Sequence, residues 1–168
     1  KLDAFNLFDP FWNDPEYDIW YKLLNCGIHL PASTGTDWFI CSNNRVYVNT
    51  QEDFSYESWI DGMKAGNTFI TNGPAINLTV NDQQMGSTVD LDGGGTLDIE
   101  STFTSFYPVH RVEIVQNGSV IHSESFPEGR REGVVRHQTN VKRDGWIAAR
   151  LWGDQRDSFN QSIYAHAS

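Results

Sequence analysis

Residues 31–39, Pro-Ala-Ser-Thr-Gly-Thr-Asp-Trp-Phe, form the densest stretch suited to chemistry, a run of small side chains that ends in the carboxylate of Asp37. In a parallel α/β sheet or barrel, ligands collect at the carboxyl ends of strands, where a short Asp points into the site. Asp37 stands at such an end, or it caps the loop that follows. On that following loop Asn43, Asn44 and Arg45 offer side-chain amides and a guanidinium suited to an anion; the competing reading pairs Arg45 with the acidic surface. The five histidines, His29, His110, His122, His137 and His166, show no H-x-H or other paired ligand spacing. No G-x-S-x-G nucleophile signature occurs, and the glycines at 93–95 sit between strands, where no phosphate-binding helix can begin.

Positioning these groups requires two regions of different pattern. In the first, Asp14-Pro15-Glu16 is a helix start: the carboxylate caps free amides, proline loses no hydrogen bond at the first position, and Glu16 suits the positive end of the dipole. Ile19, Trp20, Leu23 and Leu24 share one face, and Gly27 closes the helix in a left-handed conformation. A second helix runs from Ser55 as cap to Gly66, and residues 46–48 and 68–71 read as strands. The order strand, helix, strand, helix, strand favours an α/β layer with parallel strands. After the breaker Asn72-Gly73-Pro74 no helical window remains. Leu97, Ile99 and Phe103 alternate with polar residues, Asn117-Gly118 suits a type I′ hairpin turn, and residues 161–168 alternate as a final strand. About seven strands in residues 75–168 fit an antiparallel, immunoglobulin-like β-sandwich, with Trp146 and Trp152 on one face of a strand and turned into its core.

The chain of 168 residues carries 12 basic and 22 acidic side chains, a formal charge of -10, with both halves acidic. That balance argues against nucleic acid as partner. No apolar run approaches the roughly 18 residues of a membrane helix, so no membrane partner is expected. Cys26 and Cys41 are too few for a four-cysteine zinc site and read as buried thiols.

Trp20-Tyr21-Lys22-Leu23-Leu24-Asn25-Cys26-Gly27, Leu30-Pro31-Ala32 with Gly35-Thr36-Asp37, Asn44-Arg45-Val46-Tyr47-Val48, the segment 66–74, and later 112–118, 145–153 and Tyr164-Ala165-His166 together resemble the C-terminal part of PHP-type metallohydrolases of the carbaryl-hydrolase group. The resemblance implies an α+β chain: residues 1–74 as the last units of a PHP (βα) barrel and residues 75–168 as a β-sandwich accessory domain. It implies a divalent metal, zinc, manganese or iron, in the intact parent, where metal-bound hydroxide attacks a phosphoester, ester or carbamate. A cation there lowers the pKa of bound water from ~15.7 toward ~7. Asp37 is the metal ligand carried over, while Phe39 stands where His is common in the wider group. Arg45 and Asn44 become substrate-binding residues for a small molecule, and His166 joins them at the barrel mouth or serves a hydrogen-bonded structural role. A chain with one such carboxylate is expected to be catalytically silent by itself. The apolar residues Phe5, Leu7, Phe8, Phe11 and Trp12, exposed on a cut barrel, are expected to drive a homo-oligomer. The alternative function is a non-catalytic carbohydrate- or protein-binding module, marked by an exposed aromatic row among Phe103, Phe106, Tyr107 and Phe126.

Overall fold

A computed structural model describes residues 3–7, 13–35, 41–50 and 53–168. Three elements form a small α/β unit: β1 (Phe5–Leu7), α1 (Asn13–Asn25) and β2 (Ala32–Thr34). β1 and β2 pair in parallel, Phe5 opposite Ala32 and Leu7 opposite Thr34. α1 begins one residue ahead of Asp14, and Gly27 has φ +75°, the left-handed geometry that stops a helix.

Next come β3 (Arg45–Val48), α2 (Tyr56–Ala65) and β4 (Thr68–Thr71). Local chemistry fixes α2. The Ser55 hydroxyl accepts from the Ser58 amide at 3.0 Å while Ser58 returns a bond to the Ser55 amide at 2.9 Å, and Gly66 ends the helix at φ +81°. The excursion is closed: the Asn49 amide donates to the Asn67 carbonyl at 2.8 Å, so the chain returns to where it left. β4 therefore runs antiparallel to β3, Arg45 opposite Thr71, rather than parallel as a barrel would require.

The remaining strands are β5 (Ala75–Val80), β6 (Gln83–Gln84), β7 (Gly95–Gln116), β8 (Ser119–Val141), β9 (Ile147–Arg156) and β10 (Ser162–Ala167). With β3 and β4 they make one eight-stranded sheet in the order β3-β4-β10-β9-β7-β5-β6, with β8 also on β7. Every pairing in it is antiparallel.

These pairings correct the expected fold class. Among the described residues there is no PHP (βα) barrel remnant, because the only parallel ladder is β1-β2 and the strand pair around α2 is antiparallel. The immunoglobulin-like sandwich is replaced by a single curled sheet. β7 and β8 each exceed 20 residues, and their hairpin bends where its register shifts between Thr104 and Arg111. On one edge β7 keeps β8 throughout. On the other it pairs with β5 before the bend and with β9 after it. Bulges increase local twist and bend a strand without ending it.

The curl encloses the main core, Ile76, Leu78, Leu97, Ile99, Phe103, Val112, Ile114, Phe126, Val135 and Leu151 among its members. The outer face of β4, β10 and β9 is covered by the α/β unit, where Trp20, Tyr21, Leu7 and Ala32 pack on Ile70, Ala148, Val115 and Tyr164. Leu7 is fully buried there rather than exposed, and Phe5 packs against the same cluster. Phe8, Phe11 and Trp12 lie outside the described residues. Trp146 and Trp152 do share a face, but it is this helix-covered one. Both cysteines are exposed rather than buried, Cys26 because α1 ends just before it.

The bend needs a close backbone approach at Gly153, where a β-carbon would meet the Pro108 carbonyl and lie 2.7 Å from the Ile163 side chain. Gly153→Ala should therefore lower stability by about 1–3 kcal/mol. Gly95→Ala, with Leu91 no nearer than 3.7 Å, should change little. Urea midpoints at unchanged m-value measure both, and equal midpoints for the two variants would refute the packing account.

Candidate functional site

β10 presents Tyr164 and His166 on the face covered by α1, and cross-strand register extends this into a row. Val46 pairs with Ile70, Ile70 with His166, His166 with Arg150, and Arg150 with Glu113. Directly opposite residues share a face, so an ion pair is delivered beneath a helix. Arg150 donates from Nε to Glu113 Oε2 at 2.9 Å and from Nη2 to the same oxygen at 2.8 Å, while Arg111 Nε reaches Glu113 Oε1 at 3.2 Å. Trp152 has both guanidinium groups against its ring, Arg111 at 4.8 Å and Arg150 at 5.0 Å.

His166 is 1% exposed, with Trp20, Tyr17 and Tyr21 around it at ring separations of 5.1, 5.5 and 6.0 Å. Its Nε2 lies 2.9 Å from the Tyr21 hydroxyl. The positive Arg150 guanidinium also lies near that hydroxyl. Nδ1 has no partner among the described residues. Burial, helped by the positive charge of Arg150, pushes the histidine down from 6.5 to about 3, and burial pushes Tyr21 up to about 12. His166 is thus a neutral ring locked under α1, and meeting a substrate would require the helix to move.

Two residues along the same face, Tyr164 donates to Asn44 Oδ1 at 3.2 Å, with the Thr34 hydroxyl close by. Thr34 in turn donates to the Leu7 carbonyl at 2.6 Å. Polar groups from β2, β10 and the loop before β3 therefore gather at the carboxyl ends of the parallel pair β1-β2. Burial holds the Tyr164 hydroxyl well above the usual phenol range, so it is a donor at any ordinary pH.

No protein-family model, curated protein or solved structure matches the chain. Function must be read from the side chains themselves.

Of the four residues singled out from the sequence, Asn44 is buried and bonded to Tyr164. Arg45 is exposed, and its Nη1 donates to the carbonyls of Ser42 at 2.8 Å and Asn44 at 2.7 Å, bracing the loop. His166 shares the Tyr164 face of β10. Asp37 lies outside the described residues. Asn72, in the breaker after β4, ties that strand's end to β10 and the loop before it: Nδ2 donates to Asp157 at 2.9 Å and to the Ser162 carbonyl at 3.1 Å, and Oδ1 accepts from the Tyr164 amide at 2.7 Å. Thr34 belongs to the stretch 31–39 singled out at the start; missed were Tyr21, Arg150 and Glu113. The signal for Arg150 and Glu113 was present as charged residues at alternate positions of apolar strands, but it reads equally well as a solvated face.

The native state refuses a proton at His166 until about pH 3, whereas the unfolded chain takes one near 6.5. The unfolded state thus binds more protons between those values, so His166 costs stability as the pH falls through that window, by up to about 1.4 kcal/mol per unit, and costs none above it. His166→Phe fits the same aromatic surroundings without a titrating group. Urea unfolding of both proteins from pH 7.5 to 3.5 should show a wild-type minus variant difference that declines with acid; a flat difference would show that His166 is not held neutral.

Proposed function

We propose that this chain contributes to a metal-dependent hydrolase acting on phosphoester, ester or carbamate bonds of a small molecule, as the resemblance to the carbaryl-hydrolase group suggests. The observation that supports it is the gathering of Thr34, Tyr164 and Asn44 at the carboxyl end of β2, with Asp37 three residues beyond that strand. In this reading Asp37 is a metal ligand, Asn44 and Arg45 lie next to the substrate, and His166 backs the site from beneath α1. Among the described residues no group of three or more His, Cys, Asp or Glu lies together to hold a metal ion. They do not by themselves fit a zinc, manganese or iron centre, and no step is derived through one. Homo-oligomer formation and the lack of a nucleic-acid partner belong to the same proposal; no helix among the described residues is long and apolar enough to cross a membrane.

The binding-module reading keeps one observation. Phe106 is 77% exposed and Tyr107 41%, edge to face at 5.0 Å, with Arg131 5.9 Å from the Phe106 ring. Phe103 and Phe126 are in the core, so the aromatic row is a pair.

The chain alone should turn over neither an aryl phosphate nor an aryl carbamate with zinc, manganese or iron(II) present. In the complete natural protein, Asp37→Ala should lower metal-dependent turnover roughly 100-fold and reduce bound metal, with Phe106→Ala silent. Unchanged metal content and turnover in the Asp37 variant would defeat the hydrolase reading. Loss of binding to a glycan or protein partner in the Phe106 variant, without loss of turnover, would favour the binding module.

A further inference from the structure

The outer edge of β8 pairs with no other strand among the described residues, and the bent hairpin carries its two legs to opposite walls of the curl. One leg holds His122 opposite Ile114, the other holds His137 opposite Ile99, and both isoleucines point into the core. The two imidazoles meet across the gap, stacked at 4.8 Å between centroids and 12° between planes. They join the legs on the side where Ile121, Phe126 and Val135 border the core.

We propose that the His122–His137 stack is a pH-operated clasp, in which neutral rings hold the two legs of β8 together and protonation of both rings parts them, opening the core along the β8 edge. Two like charges at this separation near a protein surface repel by more than an aromatic pair gains. Among the described residues no carboxylate is bonded to either ring. From β7 the facing residues are Ile99 and Ile114, both uncharged; on β8 itself Val135 and Thr139 flank His137, and Glu124 follows His122 on the same face. Asp82, Asp98, Glu100 and Arg136 border a cleft of about 530 Å³ that His137 also lines. Of these, Glu100 is bonded to Arg136 at 2.7 Å and Asp98 to Gln138 at 2.8 Å. Burial first, and then the charge of His122, hold His137 below the ordinary histidine value. The second proton is therefore resisted until acid forces it on, and the resistance is the work that opens the clasp.

Opening would expose Phe126 and Val135 beside an unpaired strand edge. The inference does not depend on the hydrolase reading, since it uses neither Asn44 nor Tyr164.

Hydrogen–deuterium exchange on the whole chain at pH 7.5 and 5.0, corrected for intrinsic rates, tests it. Amides of residues 119–126 and 134–141 should lose about tenfold in protection at pH 5.0, while those of β9 and β10 hold. The double variant His122→Phe, His137→Phe keeps two stacked rings without protons and should stay protected at both values. Should β9 and β10 be unprotected in that variant at pH 7.5, His137→Gln takes its place, removing the His137 ring and with it the step. Equal loss in wild type and variant, or no loss in the wild type, overturns the clasp.

Discussion

β10 is hydrogen-bonded along both edges, to β4 and to β9, and buried on both faces, and the rest of the molecule is arranged around that constraint. Ala165 and Ala167 point into the curled core, where only small side chains leave room for the residues of β5 and β7. Tyr164 and His166 point the other way and need cover, which the α/β unit supplies. A strand added last in sequence thus joins elements from the start of the chain to the long hairpin. The junction at Asn72 is held from the same strand, through the Tyr164 amide and the Ser162 carbonyl.

Covering that second face has a cost, because it places Arg150 and Glu113 beneath α1. Removing charges from water is offset only when hydrogen bonds replace the lost hydration. Here Glu113 receives Arg150 twice and Arg111 once. The pair adds little net stability over an apolar substitute, but it fixes where the helix sits, since Tyr21 must meet both Arg150 and His166. Trp146 extends the registration toward the helix end, its ring 4.7 Å from Tyr21 and its Nε1 donating to Asn25 at 2.8 Å.

Features set by neighbours in sequence were legible and those set by distant partners were not. Ser55, Ser58 and Gly66 define α2 within a dozen residues, and Asn117 and Gly118, at φ +51° and +85°, adopt the turn their types demand. Strand direction is different. The pattern around α2 is that of a crossover, and only the Asn49 to Asn67 closure makes the strands antiparallel. The bend near Pro108 likewise rests on a register shift between β7 and β8, which only the paired strand reveals. At the candidate site, Asn44 was found through its neighbours, whereas Glu113 and Arg150 stand 37 positions apart and acquire meaning only when register sets them opposite each other.

The two buried-histidine arrangements show how one residue type takes opposite parts in one sheet. His166 is enclosed by three aromatic rings and bonded to a tyrosine, so its protonation must displace an entire helix and is deferred to strong acid. His122 and His137 lie at an edge, half-buried, stacked on each other. What a proton must disrupt there is the contact between two legs of one strand, together with the local pairing to β7. Resistance to acid therefore follows the amount of structure that must move, and the β8 edge yields first because no other strand is bonded to it.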